Sequence, residues 1–147
     1  MNPMKKLLIL SITILSGLLF LSCDSSTSSN ENNNDENPSV DILRAVLYNE
    51  GDADATINYS VLVTEVTGEE THSANMTVGA GNSVPSILAE SEPGATAITA
   101  EVEIVTGGPV RLAIEKGIMV DGSFEGEELM SVPGGSGQTI SLTYEGN

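Results

Sequence analysis

Apolar and polar residues alternate with a period of two through most of the chain after residue 55. Ile57, Tyr59, Val61 and Val63 fall on one side of an extended segment, with Asn58 and Ser60 on the other. Ile98, Ala100, Val102 and Ile104 alternate with Thr99, Glu101 and Glu103, and Val110, Leu112 and Ile114 with Arg111, Ala113 and Glu115. Ile140, Leu142 and Tyr144 alternate with Ser141 and Thr143. Successive side chains of a strand point to opposite faces, so this pattern predicts strands buried on one side. Turn-forming clusters separate the runs: Gly51-Asp52, Gly79-Ala80-Gly81-Asn82, Pro93-Gly94, Gly107-Gly108-Pro109, Asp121-Gly122 and Gly134-Gly135-Ser136-Gly137. Asp121-Gly122 is a two-residue hairpin signal joining Gly117–Val120 to Ser123–Met130. About eight strands at turn spacings near 8–12 residues predict an all-β antiparallel sandwich or barrel. Two segments break the pattern. Val40–Tyr48, with Ile42, Leu43, Val46 and Leu47, suits a strand or a short helix, and Pro85 makes 84–89 an edge strand or an irregular crossing.

The first 38 residues read differently. Lys5 and Lys6 precede fifteen uncharged residues, Leu7–Leu21, then Ser22 and Cys23. That stretch is short for a bilayer-spanning helix and has the anatomy of a secretory signal. Leu19-Phe20-Leu21-Ser22-Cys23 resembles the lipobox of bacterial lipoproteins, with Phe20 where leucine is usual. The resemblance implies cleavage before Cys23 and lipid, including palmitate-type acyl chains, on its thiol. Several acyl chains hold a protein stably to a membrane without any transmembrane helix. Cys23 is the single cysteine of the chain, so an intrachain disulfide and a thiolate metal site are excluded. Residues 24–38 are Ser, Thr, Asn, Asp and Glu, ending in Pro38. Such a composition predicts a disordered tether, which over fifteen residues spans roughly 20 Å. The expected organisation is therefore a signal peptide over 1–22, a lipidated cysteine and tether over 23–38, and one domain over 39–147. Serine-rich acidic tethers resemble those of Gram-negative envelope lipoproteins, whereas Asp24 resembles an inner-membrane retention signal. The expected place is the cell envelope, with the outer membrane favoured and its face open.

Charge narrows the partners. After cleavage, 21 acidic residues stand against Arg44, Arg111 and Lys116, a net charge of −18. That repels nucleic acid and anionic headgroups and leaves basic proteins or cations as partners.

Val46–Ala55, followed by the alternating Ile57–Val61, resembles the opening hairpin of bacterial Ig-like modules of the CARDB and fibronectin III kind, through Leu47, Asn49, Gly51 and Ala55. The resemblance implies an Ig-like β-sandwich and no particular activity.

Reactive chemistry is sparse. His72 is the single histidine, expected on the surface at a strand start or in a turn. Asn49, Glu50, Asp52 and Asp54 crowd one loop; oxygen ligands of this kind can hold calcium, but the EF-hand spacing is absent and Asp and Asn favour turns for backbone reasons. They are read as a contact loop, not as a metal site. Glu101 and Glu103 share one face about 7 Å apart, as outward glutamates on a solvated sheet do. Glu125, Glu127 and Glu128 read as an exposed hairpin arm. Tyr48, Tyr59, Phe124 and Tyr144 are the aromatic residues of the domain, three of them on apparent core faces, and the glycines mark hairpins, not a phosphate loop. These features point to a non-catalytic protein without a cofactor, whose contact loops are 49–55, 79–83 and 132–138. The alternative is a small barrel carrying an apolar molecule or a cation.

Overall fold

A computed structural model describes residues 40–81 and 84–146. The signal peptide, Cys23 and the tether lie outside the described residues.

Eight strands and no helix make up the described chain: β1 (Ile42–Asn49), β2 (Ala55–Glu65), β3 (Gly68–Val78), β4 (Ser86–Glu90), β5 (Ala97–Thr106), β6 (Val110–Val120), β7 (Ser123–Gly134) and β8 (Thr139–Glu145). They form two four-stranded antiparallel sheets, in the orders β4-β1-β6-β7 and β3-β2-β5-β8. The fold is the expected β-sandwich. The pairs β1–β4 and β2–β5 repeat the B–E and C–F pairs of immunoglobulin-type sandwiches. The flank differs: the β6–β7 hairpin fills the place beside β1 that the first strand takes in those folds. β8 then returns to the second sheet beside β5.

The core lies where the alternating faces meet. Leu43, Ala45 and Leu47 of β1, Ile57, Val61 and Val63 of β2, Ile98, Val102 and Ile104 of β5 and Leu112 and Ile114 of β6 are buried together. The segment that suited a strand or a helix is a strand, and its lack of alternation has a cause. β1 lies between β4 and β6, and Val46 and Arg44, which point away from the core, are buried as well. A strand covered on both faces reads as a continuous apolar run. Pro85 immediately precedes the edge strand β4, and Pro133 sits on β7, the other edge of that sheet, as strand prolines require.

The Asp121-Gly122 turn closes the β6–β7 hairpin with both residues at positive φ, 51° and 81°, the conformation of a type I′ turn. Further along, Gly117 faces Gly126 across the hairpin. A Cβ on Gly117 would stand 2.2 Å from the Glu125 carbonyl oxygen, and one on Gly126 would stand 2.5 Å from the Phe124 ring. The glycine pair thus lets the two backbones close and lets Phe124 lie flat over them. Gly117→Ala should cost about 1–3 kcal/mol, because rigid backbone must move to admit the methyl group. Urea unfolding of the variant against the parent measures this loss.

Candidate functional site

The strands bring four connections to one end of the sandwich: 50–54, the one leaving β3 at 79–81 and re-entering at 84–85, 107–109 and 135–138. The 66–67 and 121–122 turns and the 91–96 connection lie at the other end, where the chain enters β1. The three segments expected to make contacts therefore share one end. The first two are also tied together and to Pro109, and 135–138 is held to β5. Gly81 N–H donates to the Gly51 carbonyl (2.9 Å), Ala80 N–H to Asp54 Oδ1 (3.0 Å), and Glu50 N–H to the Pro109 carbonyl (2.9 Å). Gly135 N–H donates to Gln138 Oε1 (2.7 Å), and Gly137 N–H to the Ile104 carbonyl (2.6 Å). At Gly51 and Gly107 the neighbouring backbones approach so closely that a Cβ would fall within 2.5 Å of a carbonyl oxygen.

Asn49 organises this end from within. It is 1% exposed. Its Nδ2 donates to the carbonyls of Ala53 (2.9 Å) and Val78 (3.0 Å), and its Oδ1 accepts from Gly51 N–H (3.0 Å). One side chain therefore fixes the 50–54 loop and joins it to the end of β3. Asn49 was grouped with the contact residues; its side chain faces inward, and its place is structural. Glu50 turns to Arg111, Nε to Oε1 at 2.9 Å, and Asp54 caps Ala80. Asp52 is exposed. The four oxygen-bearing side chains diverge, and among the described residues no group of three or more His, Cys, Asp or Glu side chains is arranged to hold a metal ion.

The outer face of the β4-β1-β6-β7 sheet carries a network that the alternation pattern did not reveal. The Arg44 guanidinium lies 3.9 Å from the Phe124 ring centroid, with Glu115 Oε2 at 3.3 Å and Glu90 Oε2 at 3.8 Å. Tyr48 Oη donates to Glu115 Oε1 (2.7 Å), and Arg111 stacks on the Tyr48 ring at 4.1 Å while pairing with Glu50 and Glu128. Two aromatic side chains, Tyr59 and Tyr144, pack against the core; Tyr48 and Phe124 instead lie on this outer face, beneath Arg111 and Arg44. Three aromatic residues were expected on core faces. The structure places two there, Tyr59 and Tyr144; Tyr48 occupies the outward register of β1, level with Arg111. Lys116 completes the inventory of cations, its Nζ 2.8 Å from Asp41 Oδ2. The signal available in the sequence was the placing of Arg44 and Arg111 at outward positions among apolar neighbours.

Burial, followed by the hydrogen bond to Glu115, raises the Tyr48 phenol above its usual range, and the contact with Asp41 raises Lys116. Groups whose pKa rises on folding add stability that is complete below their unfolded values, near 10. That stability is lost as pH climbs through the folded values. The urea midpoint should therefore hold up to about pH 10 and fall above it, and Tyr48→Phe should shrink that fall. Glu128 acts at the other extreme. Ser131, and after it Arg111, lower its carboxyl pKa against the opposing effect of burial, so its contribution is lost as pH drops below about 4.5.

The outer face of the β3-β2-β5-β8 sheet is a field of hydroxyls, amides and carboxylates. Asn75 Nδ2 donates to Asn58 Oδ1 (2.8 Å), and Asn58 Nδ2 to Glu103 Oε2 (2.8 Å). Ser73 and Ser60 are linked at 3.2 Å, as are Thr99 and Thr143. Glu101 and Glu103 are exposed here, as their alternation predicts. His72 was expected at a strand start or in a turn; it lies within β3, half-buried, with Nε2 3.6 Å from Glu70 Oε1.

The chain matches no protein-family model, no curated protein and no solved structure.

Proposed function

We propose that this chain is a lipid-anchored, non-catalytic lipoprotein of the bacterial cell envelope whose β-sandwich is a display and binding module. One observation carries the reading: the chain enters β1 at the end of the sandwich opposite the four loops. An anchor at Cys23 and a tether joined at Val40 would then direct that loop end away from the lipid surface. β1 alone, at eight residues, separates the two ends by roughly 25 Å. Loops on a rigid scaffold are where recognition usually resides, and the inward hydrogen bonds of Asn49 stiffen this set. The carrier alternative needs a closed barrel. Two separate open sheets with a shared apolar core favour display instead.

The test is the fate of Cys23. Membranes from a bacterial host expressing the full chain are partitioned in a cloud-point detergent, and the N-terminal peptide is weighed by mass spectrometry. The expected result is detergent-phase protein beginning at a diacylglyceryl-modified cysteine, with Cys23→Ala moving it to the aqueous phase. A free thiol at position 23, or aqueous partitioning of the parent, would sink the proposal.

A further inference from the structure

The four sheet edges of the sandwich are not equally protected. β4 is five residues long, follows Pro85 and shifts register against β1. β7 contains Pro133 and shifts register against β6. β8 is seven residues long. β3 is different: eleven residues, no proline, no lysine, and an unbroken register with β2 from Gly68 to Val78. Short strands, prolines, bulges and lysines are the devices by which proteins block pairing at an edge. β3 uses none of these four; the inward-facing charge it does carry, Glu70, is one that a basic strand would neutralise.

The direction of its free backbone groups follows from the β2–β3 hairpin. The Thr64 carbonyl accepts from Thr96 N–H at 2.9 Å, on the side of β2 that faces away from β3. Its partner Glu69 therefore turns its own N–H and C=O away from β2, to the open edge. By the two-residue period, Thr71, Ser73, Asn75 and Thr77 do the same. Among the described residues nothing pairs with this row of donors and acceptors, which runs the length of the strand.

Charge says what can pair there. The β3-β2-β5-β8 sheet contains Glu65, Glu69, Glu70, Glu101, Glu103 and Glu145 and no lysine or arginine, because all three cations of the domain lie on β1 and β6. Each is matched there to carboxylates. A second copy would bring the same acidic sheet to the edge. A basic strand would meet complementary charge.

We propose that the free edge of β3 is a docking strand to which an extended, basic segment of a partner protein adds antiparallel, as a fifth strand. Backbone hydrogen bonds would supply affinity and alternate side chains specificity. Residues of the incoming strand opposite Glu69 and Glu70 would be lysine or arginine. Those beside Ala74 and Met76, on the core side, would be apolar, since Ala74 is exposed and Met76 is half-buried at the margin of the core. This inference names the contact surface of the display module and rests on that reading. The Cys23 experiment and the one below fail separately, because peptide pairing does not depend on lipid.

The probe is a synthetic eleven-residue peptide alternating threonine and valine, with two lysines near its C-terminal end, which antiparallel pairing sets beside Glu69 and Glu70. It is titrated into the full-length chain and followed by fluorescence anisotropy and amide hydrogen exchange. Slowed exchange at Thr71, Ser73 and Asn75, with little change at Glu70, His72 and Ala74, is expected. Glu69→Lys together with Glu70→Lys should weaken binding about tenfold. Ser73→Pro should abolish it, since proline removes an edge donor that the ladder with β2 does not use. If Ser73→Pro fails to fold, the glutamate variants and an N-methylated peptide carry the same test. Equal binding by the N-methylated peptide, protection elsewhere, or no binding overturns the proposal. So does a β3-dependent dimer of the chain alone, which would make the occupant a second copy.

Discussion

Replacing Asn49 with aspartate should cost roughly 3–5 kcal/mol at neutral pH and much less in acid, although asparagine and aspartate have the same shape. The asparagine amide supplies two donors to the Ala53 and Val78 carbonyls and one acceptor to Gly51 N–H, at 1% exposure. Alanine leaves those backbone groups without partners, at about 1–3 kcal/mol for each buried group that water cannot reach. Aspartate keeps the acceptor but turns a second oxygen on two carbonyls, so the ionised form is repelled as well as desolvated. The folded state would therefore raise the pKa of the introduced carboxyl. By linkage, the variant is closest to the parent below the unfolded value of about 3.9 and falls behind as pH rises through the folded value. Urea unfolding of parent and variant at pH 3.5, 5 and 7 tests this directly. A difference that stays flat across the three would contradict the hydrogen-bond directions assigned to Asn49.

Asn49 also illustrates what the sequence could disclose. Strands with one buried face were legible because the period-two signal survives wherever only one side is covered, as in Ile57–Val63 and Ile98–Ile104. The Asp121-Gly122 hairpin was legible because few residue pairs accept two positive φ values in succession. The oxygen-rich loop after Leu47 was visible as a loop. Which of its side chains faced inward was not, since that depends on Val78, 29 residues away, arriving beside it. β1 was ambiguous because both its faces are covered. Its outward cover comes from β6 and β7, whose adjacency to β1 no local pattern encodes. Gly117 and Gly126 fall inside the two segments that the Asp121-Gly122 turn joins, and nothing in the alternation sets them apart. They are sites of close backbone approach within strands, and β6 runs unbroken through Gly117. The charge of the domain was legible in total but not in distribution. The segregation of all three cations to one sheet appears only once the strands are sorted.

The second large effect belongs to that sheet. Arg44→Ala should destabilise the domain by about 3 kcal/mol or more. Glu115 is held by Arg44 Nη2 on one oxygen and by the Tyr48 hydroxyl on the other, and its side chain is only 12% exposed. Removing the guanidinium leaves a carboxylate short of its counter-charge in a nearly dry site, the situation that makes broken buried ion pairs expensive, at roughly 3–5 kcal/mol. It also uncovers the face of Phe124, a loss of packing that charge alone does not describe. The pair is nevertheless replaceable. Arg44 Nε is buried without a hydrogen-bond partner, so the arrangement already carries one unsatisfied donor. Arg44→Met with Glu115→Gln should therefore recover most of the loss, by keeping volume over Phe124 and a neutral acceptor for Tyr48. Arg44→Lys should not, because an ammonium cannot lie flat on the ring while reaching both Glu90 and Glu115. The parent, Arg44→Met, Glu115→Gln and the double variant form a double-mutant cycle read by urea unfolding, and a coupling energy near zero between positions 44 and 115 would refute the account. A strong coupling has a consequence for function as well. It would mean that the basic residues of this face are committed to holding Glu115, Glu50 and Glu128, which leaves partner recognition to the loop end and to the acidic sheet on the other side.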